Sequence, residues 1–444
     1  MTDRTTIAII GASFTGIPIA HALLAHFHKP STPQNIKLIL INPSPHFYWA
    51  IAAPRILTKP NAFPESQYLV PIADGFSAYS SDEFEFLLGK ATAVDFASKT
   101  VTVESTTTTT TTQDIKYNYL VIASGSSTPA TLGLTSNPNP NPSPSSSTSL
   151  QNKIYPFKPP LTPHLTIQSA LQTAQETIAH ASTIVIAGAG PIGIETAGEL
   201  GDLLTKSPSR NLSVTLVSAT DRLLPALKPA AGAAAESLLV SLGVKIIKGR
   251  KVVSVTSTST PSTPNSNIKS PTTTITLDNG DTLETNIYIP TTGVLPNSSY
   301  LPPSILNERG WITVSPELQV LGLEGQGVYA AGDITHHTQK LYMKVTEMVP
   351  VVVGNLIDDI STSASTSSTH GGGGGGGGGR GNGYCGATKR KTYTEGPDVS
   401  MMVVPVGETG GTGQMFGWVP WSFLVRVAKG RDFFIGKARG VVFP

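Results

Sequence analysis

Thr183-Ile-Val-Ile-Ala187 runs into Gly188-Ala-Gly-Pro-Ile-Gly193 and then Ile194-Glu195. A short apolar, β-branched run, a glycine turn and a helix-forming stretch to Leu204 make a strand–turn–helix unit. Each glycine has its own task. Gly188 allows the tight turn, Gly190 lets backbone N–H groups approach a pyrophosphate, and Gly193 lets the helix pack close to the strand. The helix N-terminus adds favourable potential for an anion. The unit therefore reads as a dinucleotide-binding turn.

The same order of elements occurs earlier in the chain. Thr6–Ile10 is a strand, Gly11-Ala-Ser-Phe-Thr-Gly16 a turn, and the apolar stretch to Phe27 a helix. Here Ser13 stands in place of the middle glycine; its hydroxyl is able to donate to a phosphate oxygen where its Cβ holds the backbone farther off. Each unit continues into a second strand (36–41 and 212–217) and a small β-meander (84–103; 244–255 with 273–283). A strand ending in small residues then follows, Tyr119–Ala123 before Gly125 and Asn286–Ile289 before Gly293. Asp278-Asn-Gly280 supplies type I′ hairpin chemistry. The duplication implies an α/β chain with two Rossmann-like dinucleotide-binding domains, the second inserted in the first, and a C-terminal β-rich segment. The expected division is 1–165 and 301–360 for the first domain, 166–300 for the second, 361–383 as a disordered Ser/Thr/Gly linker, and 384–444 as a β/aromatic segment.

Composition narrows the function. The 444 residues carry a formal net charge of +2, too little for a nucleic-acid protein that relies on a global positive field. A lone cysteine, Cys385, excludes a disulfide framework, a cysteine zinc site and a redox pair within the chain. Blocks at 106–112, 128–149 and 256–272 are almost entirely Ser, Thr, Pro and Asn, and Gly371–Gly379 is unbroken glycine, so insertions without a core are expected there. No apolar run of spanning length and no signal-peptide core occurs, and Thr2 offers no myristoylation glycine. A cytoplasmic protein, peripheral at most on a membrane, is the expectation.

Several side chains are candidates for the chemistry. Asn42 and Ser218 occupy the end of the second strand of each unit, where an acid would bind ribose hydroxyls. Arg222 follows Ser218 and either pairs with a 2′-phosphate or is a solvated surface charge, which leaves NADH and NADPH both open. Gly332-Asp333 ends the strand Val328–Ala331: Asp333 is either an N-cap or the acceptor of a flavin ribityl hydroxyl, with Gly332 facing the pyrophosphate. Glu195, on the first turn of the second nucleotide helix, is either a dipole-favoured acid or a carboxylate at the flavin–nicotinamide junction. Lys340, and less so Lys344, suits neutralisation of charge on a reduced flavin. The adjacent His336 and His337 have no evident third ligand, so no metal site is expected.

Together with Ala123-Ser-Gly125, Thr292-Gly293 and Tyr329-Ala-Ala-Gly-Asp333, these motifs resemble the two-dinucleotide-binding flavoproteins. Phe47-Tyr-Trp-Ala-Ile-Ala-Ala-Pro-Arg55, Gly413-Gln-Met-Phe-Gly417 and Leu424-Val-Arg-Val-Ala-Lys-Gly-Arg-Asp-Phe-Phe434 resemble the apoptosis-inducing-factor-like mitochondrion-associated, or ferroptosis suppressor, proteins. That resemblance implies bound FAD, NADH or NADPH as substrate and a quinone-type acceptor. It also implies that Arg55 contacts the flavin nucleotide and that Ala91 meets the adenine through its backbone. Gly11, Ser13, Gly16, Gly125, Gly188, Gly190, Gly193 and Gly293 are its remaining cofactor-binding positions. Asn42 and Ser124 depart from the family's usual acid and threonine.

The tail interleaves Trp418, Trp421, Phe423, Phe433 and Phe434 with Arg426, Lys429, Arg431, Lys437 and Arg439. This suits a membrane interface or an acidic partner; a β-meander capping the first domain, with solvated basic residues, fits equally. The sequence thus points to an FAD-dependent NAD(P)H oxidoreductase. An NAD(P)H-sensing flavoprotein that acts through protein interaction, or a reductase of a small redox protein, is the alternative.

Overall fold

The computed structural model describes residues 4–29, 35–105, 111–135, 153–159, 166–207, 209, 211–258, 272–368, 390–396, 399 and 401–444. Along the chain the elements that position the site are β1 (Thr5–Ile10), α1 (Gly16–Phe27), β2 (Ile36–Asn42), α2 (Ala53–Thr58), β3 (Phe84–Asp95), β4 (Thr100–Ser105), β5 (Thr112–Lys116) and β6 (Tyr119–Ile122). Then come α3 (Ile167–His180), β7 (Thr183–Ala187), α4 (Pro191–Lys206), β8 (Ser213–Val217), α5 (Pro229–Ser241), β9 (Lys245–Ile247), β10 (Val252–Thr258), β11 (Thr272–Leu277), β12 (Thr282–Thr285) and β13 (Ile287–Pro290). The last are β14 (Val328–Ala330), α6 (Tyr342–Ser368), β15 (Met401–Val406) and β16 (Gly410–Met415).

Two sheets carry the architecture. The first has the order β14-β6-β1-β2-β3-β4-β5, parallel from β14 to β3 and antiparallel beyond. The second, β9-β8-β7-β13, is parallel throughout. A strand covered on both faces needs continuous apolar sequence, and Ile7–Ile10 and Ile184–Ala187 are buried at every position. Because β14 returns to pair with β6, the second sheet is built from chain that leaves the first sheet and comes back.

The two glycine turns are geometric copies. Gly11 has φ +103° and a Cβ there would lie 2.3 Å from the Ala123 carbonyl oxygen; Gly188 has φ +114° and its Cβ would lie 2.5 Å from that of Thr291. A side chain at Gly16 would strike the Gly11 oxygen, as one at Gly193 would strike that of Gly188.

The structure corrects four expectations. The linker does not start at 361, since α6 continues to Ser368; residues 369–383 lie outside the described residues. The block at 128–149 is ordered at its start. Thr128 Oγ accepts from Thr131 N (3.1 Å) to cap a helical turn over Pro129–Leu132, and the Tyr288 hydroxyl donates to Thr135 O (3.0 Å). Of Asp278-Asn279-Gly280 only Gly280 has positive φ (+88°), so the turn is not type I′, which needs two such residues. The tail supplies a hairpin, β15–β16, but after it residues 422–442 are mostly helical turns rather than strand.

Candidate active site

A cavity of about 810 Å³ lies at the carboxyl ends of the parallel strands of the first sheet, where open α/β sheets place ligands. Ile10, Ile41 and Asn42 form its floor, with Gly11–Thr15 beside them. Its wall includes Lys90 and Ala91, Asp333 and Lys340, and Pro191, Ile192 and Glu195 on the first turn of α4. Its volume falls within the roughly 300–1,000 Å³ of small-molecule sites. One cavity therefore joins the two halves of the duplication.

Asn42 fixes the first turn: Ala12 N–H donates to its Oδ1 (3.0 Å), and its Nδ2 donates to Ser44 O (2.7 Å). Asp333 follows β14 and faces Lys158, whose Nζ is 2.7 Å from Oδ2, with Ser126 Oγ donating to the same oxygen (2.9 Å). Burial pushes the Asp333 carboxyl up, but Lys158 and Ser126 outweigh it and hold the group below its ordinary value. Lys340 donates to Thr335 O (2.5 Å) and lies 4.0 Å over the Trp311 ring. Burial lowers its ammonium to about 8, against the opposing pull of Asp333. Tyr300 donates to Ser124 Oγ (3.0 Å), which donates to Asn297 O (2.9 Å), so this corner of the wall is hydrogen-bonded throughout.

Glu195 is buried on α4, and Lys429 Nζ from the tail donates to its Oε1 at 2.5 Å. Burial raises the Glu195 carboxyl and Lys429 works against that rise. One turn further along α4, Glu199 forms a two-point pair with Arg55 (2.7 and 3.0 Å). Arg55 also donates to Gly430 O and Arg431 O, both at 2.8 Å. Neighbouring Glu199, Asp202 and Glu408 bring three carboxylates within 4.8 Å of one another, and the Lys59 ammonium sits among them at 2.7–2.8 Å. An ammonium already supplies the cation that this cluster requires.

Gly11, Ser13, Asn42, Ala91, Gly125, Glu195, Asp333 and Lys340 all line the cavity. Gly16, Gly193 and Gly332 are buried, Gly188 is half-buried and Gly293 is exposed; none of the five lines the cavity, and Gly332 allows Thr15 Oγ1 to approach to within 2.3 Å of where a Cβ would be. Gly190 precedes α4, and no described atom comes within 4 Å of a Cβ placed there, so the space before the helix N-terminus is open. Three residues are elsewhere. Arg55 is committed to Glu199 and the tail and is not part of the cavity wall. Ser218 turns its hydroxyl to Thr220 O (2.9 Å), and Arg222 donates to Pro225 O (2.6 Å). Lys158 and Lys429 went unassigned as site residues in the sequence because their partners are 175 and 234 positions away.

These residues fit a dinucleotide spanning the cavity. The Gly11 turn lines the cavity at the start of α1, the Gly190 position is open at the start of α4, and Asp333, held below its ordinary carboxylate value, lines the same cavity as the first turn.

Comparison with known proteins gives the class. Residues 5–351 match the family described as Pyridine nucleotide-disulphide oxidoreductase, and the chain belongs to it. Its α/β fold is the FAD/NAD(P)-binding oxidoreductase fold of that family. Oxidoreductase phnG of Penicillium herquei is 30% identical over 450 residues, covering 99% of this chain and 96% of that protein. Ferroptosis suppressor protein 1 of Taeniopygia guttata is 22% identical over 290 residues, 64% of this chain and 67% of that one. The sulfide:quinone oxidoreductase of Aquifex aeolicus superposes with a TM-score of 0.65 at 17% identity, over 99% of this chain and 92% of that one. The family and the fold are thereby fixed, and the chain is an oxidoreductase of this family that carries a single cysteine.

Proposed function

We propose that the protein is an FAD-dependent NAD(P)H oxidoreductase that passes electrons to a quinone-type acceptor. The carrying observation is that one cavity is lined by Ala91, the Gly11 turn and Asp333 and also by Glu195 on the second nucleotide helix. A bound flavin supplies the capacity to accept a hydride from a nicotinamide and release the electrons to a second substrate.

The chain's own residues bind, orient and shield. Asp333, held ionised by Lys158, accepts from a ribityl hydroxyl; the N-terminus of α1 and the Gly11 turn receive the pyrophosphate; and Ala91 meets the adenine through its backbone. Glu195, kept in place by Lys429, orients the nicotinamide carboxamide. Lys340 places a positive charge, and a proton on Nζ, beside the cavity where negative charge develops on reduction. Phe14, Trp49 and Tyr342, in mutual edge contact at 5.3–5.9 Å, exclude water from one wall. With no cysteine pair in the chain, electrons leave by direct contact with the acceptor. Four of the six methionines, Met343, Met401, Met402 and Met415, line the cavity and give it an adaptable apolar wall suited to a flat ring. The likeness to ferroptosis suppressor protein 1 and to a sulfide:quinone oxidoreductase supports this choice of acceptor.

The test is the visible spectrum of the purified protein before and after anaerobic addition of NADH or NADPH, followed by turnover with a short-chain ubiquinone analogue. Flavin bands that bleach, and quinone reduction faster than by free FAD, are expected. Colourless protein that cannot be reconstituted with FAD refutes the reading.

A further inference from the structure

Six large apolar side chains stand in solvent within one stretch of the tail: Phe416 (77% exposed), Trp418 (80%), Trp421 (81%), Phe423 (63%), Leu424 (47%) and Val427 (59%). They include all the Phe and Trp side chains among the exposed large hydrophobics of the described residues. An apolar surface of this kind, left uncovered, marks an interaction site.

The exposure is built in by the backbone. Met415 and Trp418 exchange backbone hydrogen bonds (2.8 and 2.9 Å) around a turn in which Phe416 and Gly417 both have positive φ. Lys228 Nζ donates to Gly417 O, and Gly411 N donates to Ser422 Oγ (2.9 Å), which ties the following turn to β16. The chain is thus held with its rings pointing outward.

Two further features indicate what covers them. The patch adjoins the cavity: Met415, just before Phe416, and Ala428, just after Val427, both line it. The same stretch of chain and the residues that follow it carry exposed cations. Arg426, Arg431, Lys437 and Arg439 are exposed, against the half-buried Asp432 as the only acid between 416 and 444. Outward tryptophans with a fringe of arginine and lysine match the headgroup layer of an anionic bilayer, where the rings enter the interface and the cations meet lipid phosphate. Among the described residues no helix is long and apolar enough to cross a membrane, so the contact would be with one leaflet.

We propose that residues 416–427 dock the protein on an anionic lipid surface and turn the cavity wall at Met415 and Ala428 toward the bilayer. The docking stands on the patch alone; delivery of a lipid-dissolved acceptor through it rests on the quinone reading above.

The experiment is vesicle co-sedimentation of the full-length protein, with phosphatidylcholine alone and with phosphatidylcholine containing phosphatidylserine, at low and high salt. Binding is expected to the anionic vesicles, weakening with salt. The double variant Trp418→Ser/Trp421→Ser should bind about tenfold more weakly or worse. It should keep the parent's flavin content and its rate with a water-soluble short-chain quinone, and lose rate only with a long-chain quinone presented in vesicles. Binding to neither vesicle, or equal binding by parent and variant, overturns the proposal. So does a concentration-dependent dimer that the substitutions dissolve, because the patch would then be covered by a second copy. Failure of the quinone reading looks different: neither quinone is reduced while vesicle binding persists.

Discussion

Lys429→Met isolates the contribution of the tail to the site. In the parent, Glu195 is nearly sealed from solvent (side chain 5% exposed) and Lys429 Nζ lies 2.5 Å from it. Methionine keeps the length of the side chain and removes the charge. Breaking a buried ion pair by deleting one partner costs about 3–5 kcal/mol if the remaining charge must stay. Glu195 has an escape, however, because it can take up a proton. Its carboxyl is already raised by burial with Lys429 opposing, so without Lys429 it rises further. A carboxyl whose folded-state pKa lies above its unfolded value is favoured in the folded protein at low pH, and that advantage is lost as pH rises through the folded pKa. The variant should therefore be close to the parent in stability in mildly acid buffer and fall behind as the buffer becomes alkaline. The deficit should approach about 3 kcal/mol, which is several degrees in Tm for a chain of this size.

Thermal denaturation across a pH series reads this directly, with Glu195→Gln and the double variant as controls. Glutamine has no charge to bury, so the double variant should recover most of the stability that Lys429→Met loses at alkaline pH. Flavin reduction by NAD(P)H, followed in a stopped-flow instrument, should slow in Lys429→Met with flavin content unchanged. A loss of stability independent of pH, or a double variant that simply adds the two single losses, refutes the reasoning. Either result would mean that the two side chains do not act on each other.

Gly188→Ala forces a side chain to φ +114° against the Thr291 oxygen and should cost about 1–3 kcal/mol or more, seen as a lower Tm. Gly190→Ala meets no described atom, so its stability should stay within about 0.5 kcal/mol of the parent while KM for NAD(P)H rises. Asp333→Ala should lower the flavin-to-protein absorbance ratio after desalting, since it removes the acceptor that Lys158 holds ionised; stoichiometric flavin would exclude Asp333 from the site. Because the Lys340 ammonium sits at about 8, turnover should decline as pH rises through that value. Lys340→Met should turn over more slowly and lack the inflection, and an unchanged inflection assigns it to another group.

The strands and glycine turns were legible because their signals are local. Thr183–Ala187 is a continuous apolar run whose bounds coincide with the strand, and the close approaches at Gly11 and Gly188 admit no other residue. What remained hidden depends on partners far apart in sequence. Arg55, assigned to the flavin by resemblance, instead pairs with Glu199, 144 positions away. The signal that would have exposed it is the spacing of Glu195, Glu199 and Asp202 on α4. All three are buried, and buried carboxylates at i, i+4 and i+7 demand cations from elsewhere. Three arrive: Lys429 from the tail, and Arg55 and Lys59 from the end of α2. The tail was ambiguous for a related reason. Its basic residues look alike in sequence, yet Lys429 is turned inward to a carboxylate while Arg426 and Arg431 remain outside.

That network bears on how the site is held in shape. Buried ion pairs contribute little net stability, because desolvation offsets most of their attraction. Their directional requirements are strict all the same: Arg55 satisfies Glu199 and two tail carbonyls only if α2, α4 and the 426–431 turn keep one mutual register. Phe433 lies beneath both Arg55 and Lys429 (4.8 and 5.5 Å) and keeps a left-handed φ of +52° that a bulky residue adopts only under constraint. Its carbonyl in turn accepts from the indole N–H of Trp49 (2.8 Å), which is part of the cavity wall. Glu195 is therefore positioned by residues from the first sheet's domain and from the tail as well as by its own helix. The turn that carries Lys429 follows directly on the exposed patch at 416–427, so the chain that presents the patch also supplies the cation on Glu195.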